Sequence, residues 1–164
     1  MSGEIFVQKN CAKYVICRAG WMMGSGPKKD KKFVNKIINQ ISNGHKDLYV
    51  VNDKMGTPTY TIDFAKNVEL LISKEYWGVY NMVCKGITSR FEVAKRIIKI
   101  LGMENDIKLN AVSSEYFSKE YYAPRPLSER LLTKKLDLRS INIMQPWEKA
   151  LEIYLNEYYY DIFK

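Results

Sequence analysis

The sequence predicts an α/β fold, and three observations carry that prediction. Apolar residues switch repeatedly between helical spacing and short strand-like runs, in the order helix, strand, helix, strand, helix, strand, helix, strand, helix. Hydrophobic residues make up 46% of the 164, enough to bury the core of one domain or slightly more. No internal repeat or low-complexity segment interrupts the alternation.

The elements follow in order. Met1 to Ala12 reads as a helix carrying Ile5 and Phe6, and Tyr14 to Cys17 as a short buried strand. Gly20 to Asp30 holds three Gly and a Pro, which predicts a long loop of the kind often tied to function. Phe33, Val34, Ile37, Ile38 and Ile41 fall on one helical face, and Asn43-Gly44 stops that helix. Leu48 to Val51 is the next strand. The tight turn at Gly56-Thr57-Pro58 leads into a helix from about Thr61, with Thr and Asp as expected caps and Phe64, Val68, Leu71 and Ile72 inward. Tyr80, Met82 and Cys84 alternate with Val79, Asn81 and Val83 as a strand. Ser89-Arg90-Phe91-Glu92 fits a capping box, and Val93, Ile97, Ile98 and Leu101 face inward before Gly102 ends the helix. Ile107 to Val112 alternates again. The last helix opens at Pro146, a position that needs no internal amide bond, with Trp147, Leu151, Tyr154 and Leu155 inward. The aromatic tail Tyr158-Tyr159-Tyr160 reads as a packing or oligomer surface.

Composition excludes several function classes. Apolar runs fall far short of the roughly 20 residues of a membrane span, and no basic region followed by an apolar run marks a secretory signal. A cytoplasmic protein without membrane contact is expected. Cys11, Cys17 and Cys84 lack CxxC spacing and meet a single histidine, so reduced core cysteines are expected rather than a metal site. His45 follows a turn and is assigned no chemistry. The formal charge of +8, with the run Lys28-Lys29-Asp30-Lys31-Lys32, reads first as a solvated basic surface and second as a site for phosphates, of a nucleotide sugar or of nucleic acid. No nucleic-acid-binding motif accompanies it, so nucleic acid is not an expected partner.

The run Lys54-Met55-Gly56-Thr57-Pro58-Thr59-Tyr60-Thr61-Ile62-Asp63-Phe64-Ala65 is diagnostic in combination. Arg18-Ala19-Gly20-Trp21 lies upstream of it; Gly78-Val79-Tyr80-Asn81 and Gly86-Ile87-Thr88-Ser89-Arg90-Phe91-Glu92-Val93-Ala94 lie downstream. Their order and spacing resemble the C-terminal part of the dTDP-4-dehydrorhamnose reductases, sugar-nucleotide enzymes of the extended short-chain dehydrogenase/reductase class. The resemblance runs from Ser2 to about Leu155. It implies the C-terminal portion of a Rossmann-type NAD(P)-binding fold with the smaller α/β substrate-binding domain. Residues 1–20 would finish the Rossmann-type domain, and 21–164 would mostly hold the sugar nucleotide, some segments returning to the sheet. The family reduces a 4-keto-6-deoxyhexose nucleotide with NADPH or NADH, metal ions being auxiliary at most.

The resemblance also assigns residues. Trp21 matches the Trp whose indole lies against the sugar, an aromatic face suiting the apolar C–H face of a hexose; its other reading is a core tryptophan. Ala19-Gly20 and Met22-Met23-Gly24 depart from the family's usual residues there. Arg18 either bonds loop carbonyls or lies, with Gly20, near the nicotinamide end. Phe33 either packs in the core or, with Lys32 and the helix-start amides, meets a diphosphate. Arg125, stiffened by Pro124 and Pro126, is either a bidentate phosphate clamp or a partner for the chain's own carboxylates.

Catalytic residues are expected to be absent. No glycine-rich turn for a dinucleotide pyrophosphate follows a first strand. The family's Tyr-x-x-x-Lys pair is not expected either: Tyr116 and Lys119 stand three apart, and Tyr76 and Tyr122 lack a Lys at the required spacing. Ser2-Gly3-Glu4 resembles the triplet that follows the family's catalytic Lys, which would place Met1 just beyond it. The resemblance thus implies a wall for sugar and diphosphate, with the main cofactor-binding half supplied by a further N-terminal half or partner protein. Two other readings stand beside it. One is a non-catalytic regulatory or binding subunit; the other is a truncated inactive product whose open strand edge at Tyr14–Cys17 favours homodimers or aggregation.

Overall fold

The computed structural model describes residues 2–119 and 126–160. Helix α1 spans Ser2–Asn10 and leads into strand β1, Val15–Arg18. Strand β2 (Trp21–Met23), the single helical turn α2 (Gly26–Lys29) and helix α3 (Phe33–Ser42) follow. Then come β3 (Asp47–Val51), β4 (Met55–Gly56), β5 (Pro58–Tyr60), α4 (Thr61–Ser73) and β6 (Gly78–Asn81). Next are β7 (Thr88–Ser89), α5 (Arg90–Ile100), β8 (Lys108–Val112) and a 3-10 turn at Ser114–Phe117. The described chain closes with β9 (Ser128–Glu129), α6 (Lys134–Leu138) and α7 (Trp147–Tyr158).

Most pairings are parallel: β1 with β6, β2 with β5 and β3 with β8. The short β4 lies between β7, antiparallel, and β9, parallel. Backbone bonds extend and link the first two ladders: Met82 donates to Arg18 in the first, Trp21 to Thr57 in the second, and Cys84 to Pro58 between them. Parallel pairs need crossover connections, and helices supply them, so the alternation read from the sequence is the physical cause of this topology.

The core sits under α3, α5 and α7. Ile37, Ile38 and Ile41 of α3, Val93, Ala94, Ile97 and Ile98 of α5, and Trp147, Leu151, Tyr154 and Leu155 of α7 are buried together with Leu48, Val50 and Tyr80. Ser89 caps α5, its hydroxyl accepting the Glu92 amide at 3.1 Å, as the capping pattern predicts.

Several expectations are corrected. The loop at Gly20–Asp30 contains a strand and a helical turn, because Trp21–Met23 satisfies its backbone against Pro58–Tyr60. Helix α4 has Tyr60, not Thr or Asp, as its cap residue. Thr61 is the first helical residue, with its hydroxyl beside Gly24. Asp63 is buried, accepting bonds from the Gln145 backbone and side-chain amides at 3.2–3.4 Å. Ile72, expected inward, is 52% exposed. Strand β1 is only half-buried, since β6 is its one partner strand among the described residues. Cys84 is buried, which pushes its thiol up to about 12, and Cys17 is half-buried, but Cys11 is exposed beyond α1. Among the described residues no helix is long and apolar enough to cross a membrane, and no cluster of His, Cys, Asp or Glu could hold a metal.

Candidate functional site

The chain brings Trp21, Phe33, Gly56, Arg90 and Glu129 to one place. Trp21 opens β2 and is held there by its amide bond to Thr57. Its half-buried indole donates from Nε1 to Glu129 Oε2 at 2.6 Å. Gly56 and Glu129 are register partners on β4 and β9, so the carboxylate hangs over a position without a side chain. That glycine is required by close approach: a Cβ on Gly56 would run into the six-membered ring of Trp21.

Arg90 completes the cluster from the first turn of α5. Its guanidinium carbon stands 4.8 Å from the Trp21 ring centroid and 5.3 Å from that of Phe33, within cation–π range of both. A planar guanidinium held against aromatic rings directs its N–H donors along its own edge, the geometry that suits a phosphate or carboxylate. An aromatic surface with a few fixed polar groups beside it suits a ligand that has both an apolar face and polar or charged groups. Two surface concavities are lined by other residues, around Leu132–Leu138 and around Arg96, Glu152 and Asn156.

The other sequence-derived positions are distributed around this cluster. Gly20, beside Trp21, donates its amide to Thr59 Oγ1 at 2.9 Å and packs against the Thr57 carbonyl. Lys32 immediately precedes α3; its backbone amide donates to Asp30 Oδ1 at 2.8 Å and its side chain is exposed. Among the described residues Arg18 pairs with a side chain and not with loop carbonyls. It forms a two-point ion pair with Glu4, at 2.9 and 2.6 Å, which lowers the Glu4 carboxyl from its ordinary value of 4.5. The triplet glutamate and the motif arginine singled out separately in the sequence are thus partners. His45 is exposed, as expected. Arg125 lies outside the described residues.

Sequence reasoning missed Arg90 and Glu129. Arg90 lies inside the capping box, a pattern that speaks only to the helix start. Glu129 lies just past a proline-rich stretch with no periodicity, and only pairing with β4 reveals its place. A third omission concerns spacing: Tyr-x-x-x-Lys does occur once, at Tyr160 and Lys164. Tyr160 is exposed beyond the end of α7, and Lys164 lies outside the described residues.

Comparison with known proteins places this geometry in a family. The family model described as the RmlD substrate binding domain matches residues 1–160. The spore coat polysaccharide biosynthesis protein SpsK of Bacillus subtilis is 32% identical over 155 residues, covering 94% of this chain and 51% of that protein. A solved dTDP-4-dehydrorhamnose reductase from Clostridium acetobutylicum superposes with a TM-score of 0.85 at 34% identity, over 94% of this chain and 52% of that one. The dTDP-4-dehydrorhamnose reductase of Bacillus anthracis, solved in complex with NADP, gives 0.85 at 31% identity, over 95% and 53%. The chain spans about half the length of these relatives. The expected fold class, part of a Rossmann-type α/β fold with a substrate-binding portion, is borne out by these matches. Matched by that family model over nearly its whole length, the chain belongs to the RmlD substrate-binding-domain family.

Proposed function

We propose that this chain forms the sugar-nucleotide wall of a dTDP-4-dehydrorhamnose reductase-like protein in deoxysugar biosynthesis. The observation that carries the reading is the Trp21–Arg90–Phe33 cluster, fastened by Glu129 and backed by Gly56. Trp21 offers an aromatic surface to the hexose. Arg90, with Phe33 and Lys32 at the start of α3, faces the diphosphate, and Arg125 retains its sequence-based assignment as a second phosphate ligand. On this reading residues 1–20 finish a Rossmann-type sheet and 21–164 mostly hold substrate, with β6 returning to that sheet beside β1. Arg18 and Gly20 lie toward the cofactor end.

NADPH or NADH, implied by the relatives, would supply the hydride, and its principal contacts would come from residues outside these 164. The chain contains no glycine-rich dinucleotide turn. A cytoplasmic setting accompanies the reading. Calorimetry with a dTDP-hexose such as dTDP-glucose tests it: the chain binds the sugar nucleotide, and Trp21→Ala weakens binding roughly tenfold, about 1.4 kcal/mol. Unchanged affinity in Trp21→Ala would overturn the assignment. A second reading, a non-catalytic subunit that acts with a partner, is favoured by α1, in which no residue is buried. Co-purification of a stoichiometric partner without any keto-sugar reduction by the complex supports that alternative.

A further inference from the structure

The segment between Trp21 and Phe33 is fastened to the C-terminal helix by a chain of buried hydroxyls that the binding wall does not itself use. Asp30 is 4% exposed, a carboxylate with two partners. Its Oδ1 accepts the Lys32 amide at 2.8 Å, and its Oδ2 accepts the Tyr154 hydroxyl at 2.8 Å. Tyr154 Oη also lies 3.4 Å from the Gly24 carbonyl and 3.2 Å from Tyr159 Oη, and Tyr159 donates to Asn35 Oδ1 at 3.1 Å. Both tyrosines are wholly buried. A third ring, Tyr158, packs over Gly26, where φ is +68° and a Cβ would collide with the ring. Two hydroxyls, one on α7 and one on the residue that follows it, therefore grip the segment at Gly24, Asp30 and Asn35, between and just beyond the two aromatic residues of the wall.

We infer that Tyr154 is a positioning residue: through Asp30 it sets the separation of Trp21 and Phe33, and so the seat of Arg90 between them. The physical reason is leverage. Residues 24–32 contain a glycine in the left-handed region at position 26, a serine there at position 25 and one helical turn, so local structure alone holds the segment weakly. A buried carboxylate gives it one preferred position, because leaving that group without its hydroxyl donor is costly. Helix α7 is itself anchored in the core by Ala150, Leu151 and Leu155, so it is a rigid reference for the wall. The inference rests on the proposed ligand wall, but its first test does not.

Tyr154→Phe removes the hydroxyl and keeps the ring. The chain has three tryptophans, so 5-fluorotryptophan labelling gives three fluorine resonances, with Trp21 assigned by Trp21→Phe. The expected result is a shifted or broadened Trp21 resonance, an unmoved Trp77 resonance, and dTDP affinity reduced about fivefold. Asp30→Asn, which keeps an acceptor for the Tyr154 hydroxyl, lies between wild type and Tyr154→Phe in both readouts. A lowered melting temperature with the Trp21 resonance unchanged would show that the network serves the fold alone and would overturn the inference. Should Tyr154→Phe not fold, Tyr159→Phe breaks the next link and is judged by the same two readouts. If wild type fails to bind dTDP, the ligand reading falls, while the Trp21 resonance still decides the positioning role.

Discussion

Two ends of the same chain are built to different standards. Around α7 the packing is closed: Ala150, Leu151, Tyr154 and Leu155 are at most 1% exposed, and the helix packs on α5 and β5. Around α1 nothing is closed. No residue of that helix is buried, Phe6 is 68% exposed, and β1 beside it has one partner strand among the described residues. Helix α1 is tied down by the Arg18–Glu4 ion pair, an exposed contact of a kind worth little in water. Parallel sheets normally have both faces covered, so on the proposed reading this is the side where a further half or a partner would pack. The Trp21–Arg90–Phe33 cluster, by contrast, is held by this chain's own residues, Glu129 and Gly56 among them.

The comparison can be broken from its strong side first. Leu151→Ala at the centre of α7 should cost about 2–5 kcal/mol in denaturant unfolding, because it opens a cavity in closed packing. Phe6→Ala on α1 should change stability by less than about 0.5 kcal/mol, as surface substitutions do. Equal costs would erase the distinction. Ser89→Ala comes next: loss of the cap on α5 should cost about 1 kcal/mol and loosen the turn that carries Arg90. Gly56→Ala should disturb Trp21 directly, visible as a change in near-ultraviolet circular dichroism with only modest loss of secondary structure.

The smallest effect concerns pH. Glu4 is held below its ordinary 4.5 first by the hydrogen bond from Arg18 and then by its charge. A carboxylate depressed in the folded state contributes stability that is present above the unfolded value and is lost as pH falls through the folded one. Helicity in α1 should therefore decline as pH drops below about 4.5, while the α7 core holds. Hydrogen exchange across pH 6 to 3 checks this, and an α7 that opens together with α1 would contradict it.

The helices and most strands were legible because their signals are local: one apolar face every 3.6 residues, a capping serine, a glycine stop. Strand β2 was not legible, since three residues, Trp-Met-Met, carry no periodicity and depend on Pro58–Tyr60 for their bonds. The same limit hid much of the wall. Trp21 and Phe33 were visible as motif residues, but Arg90 and Glu129 reach them across 69 and 108 positions of chain, a proximity no spacing rule encodes. The tyrosine tail reads in the sequence as a packing or oligomer surface; the buried Tyr159 and the half-buried Tyr158 pack, while Tyr160 is exposed. What the tail packs against, the Gly24–Asn35 segment, required the fold.

A sugar-nucleotide wall that stands without the dinucleotide half is the central claim, and paired calorimetric titrations of the purified chain test it most directly. The account predicts one-to-one binding of dTDP and no stoichiometric binding of NADPH under the same conditions. Tight one-to-one NADPH binding, with dTDP giving no heat, would contradict it.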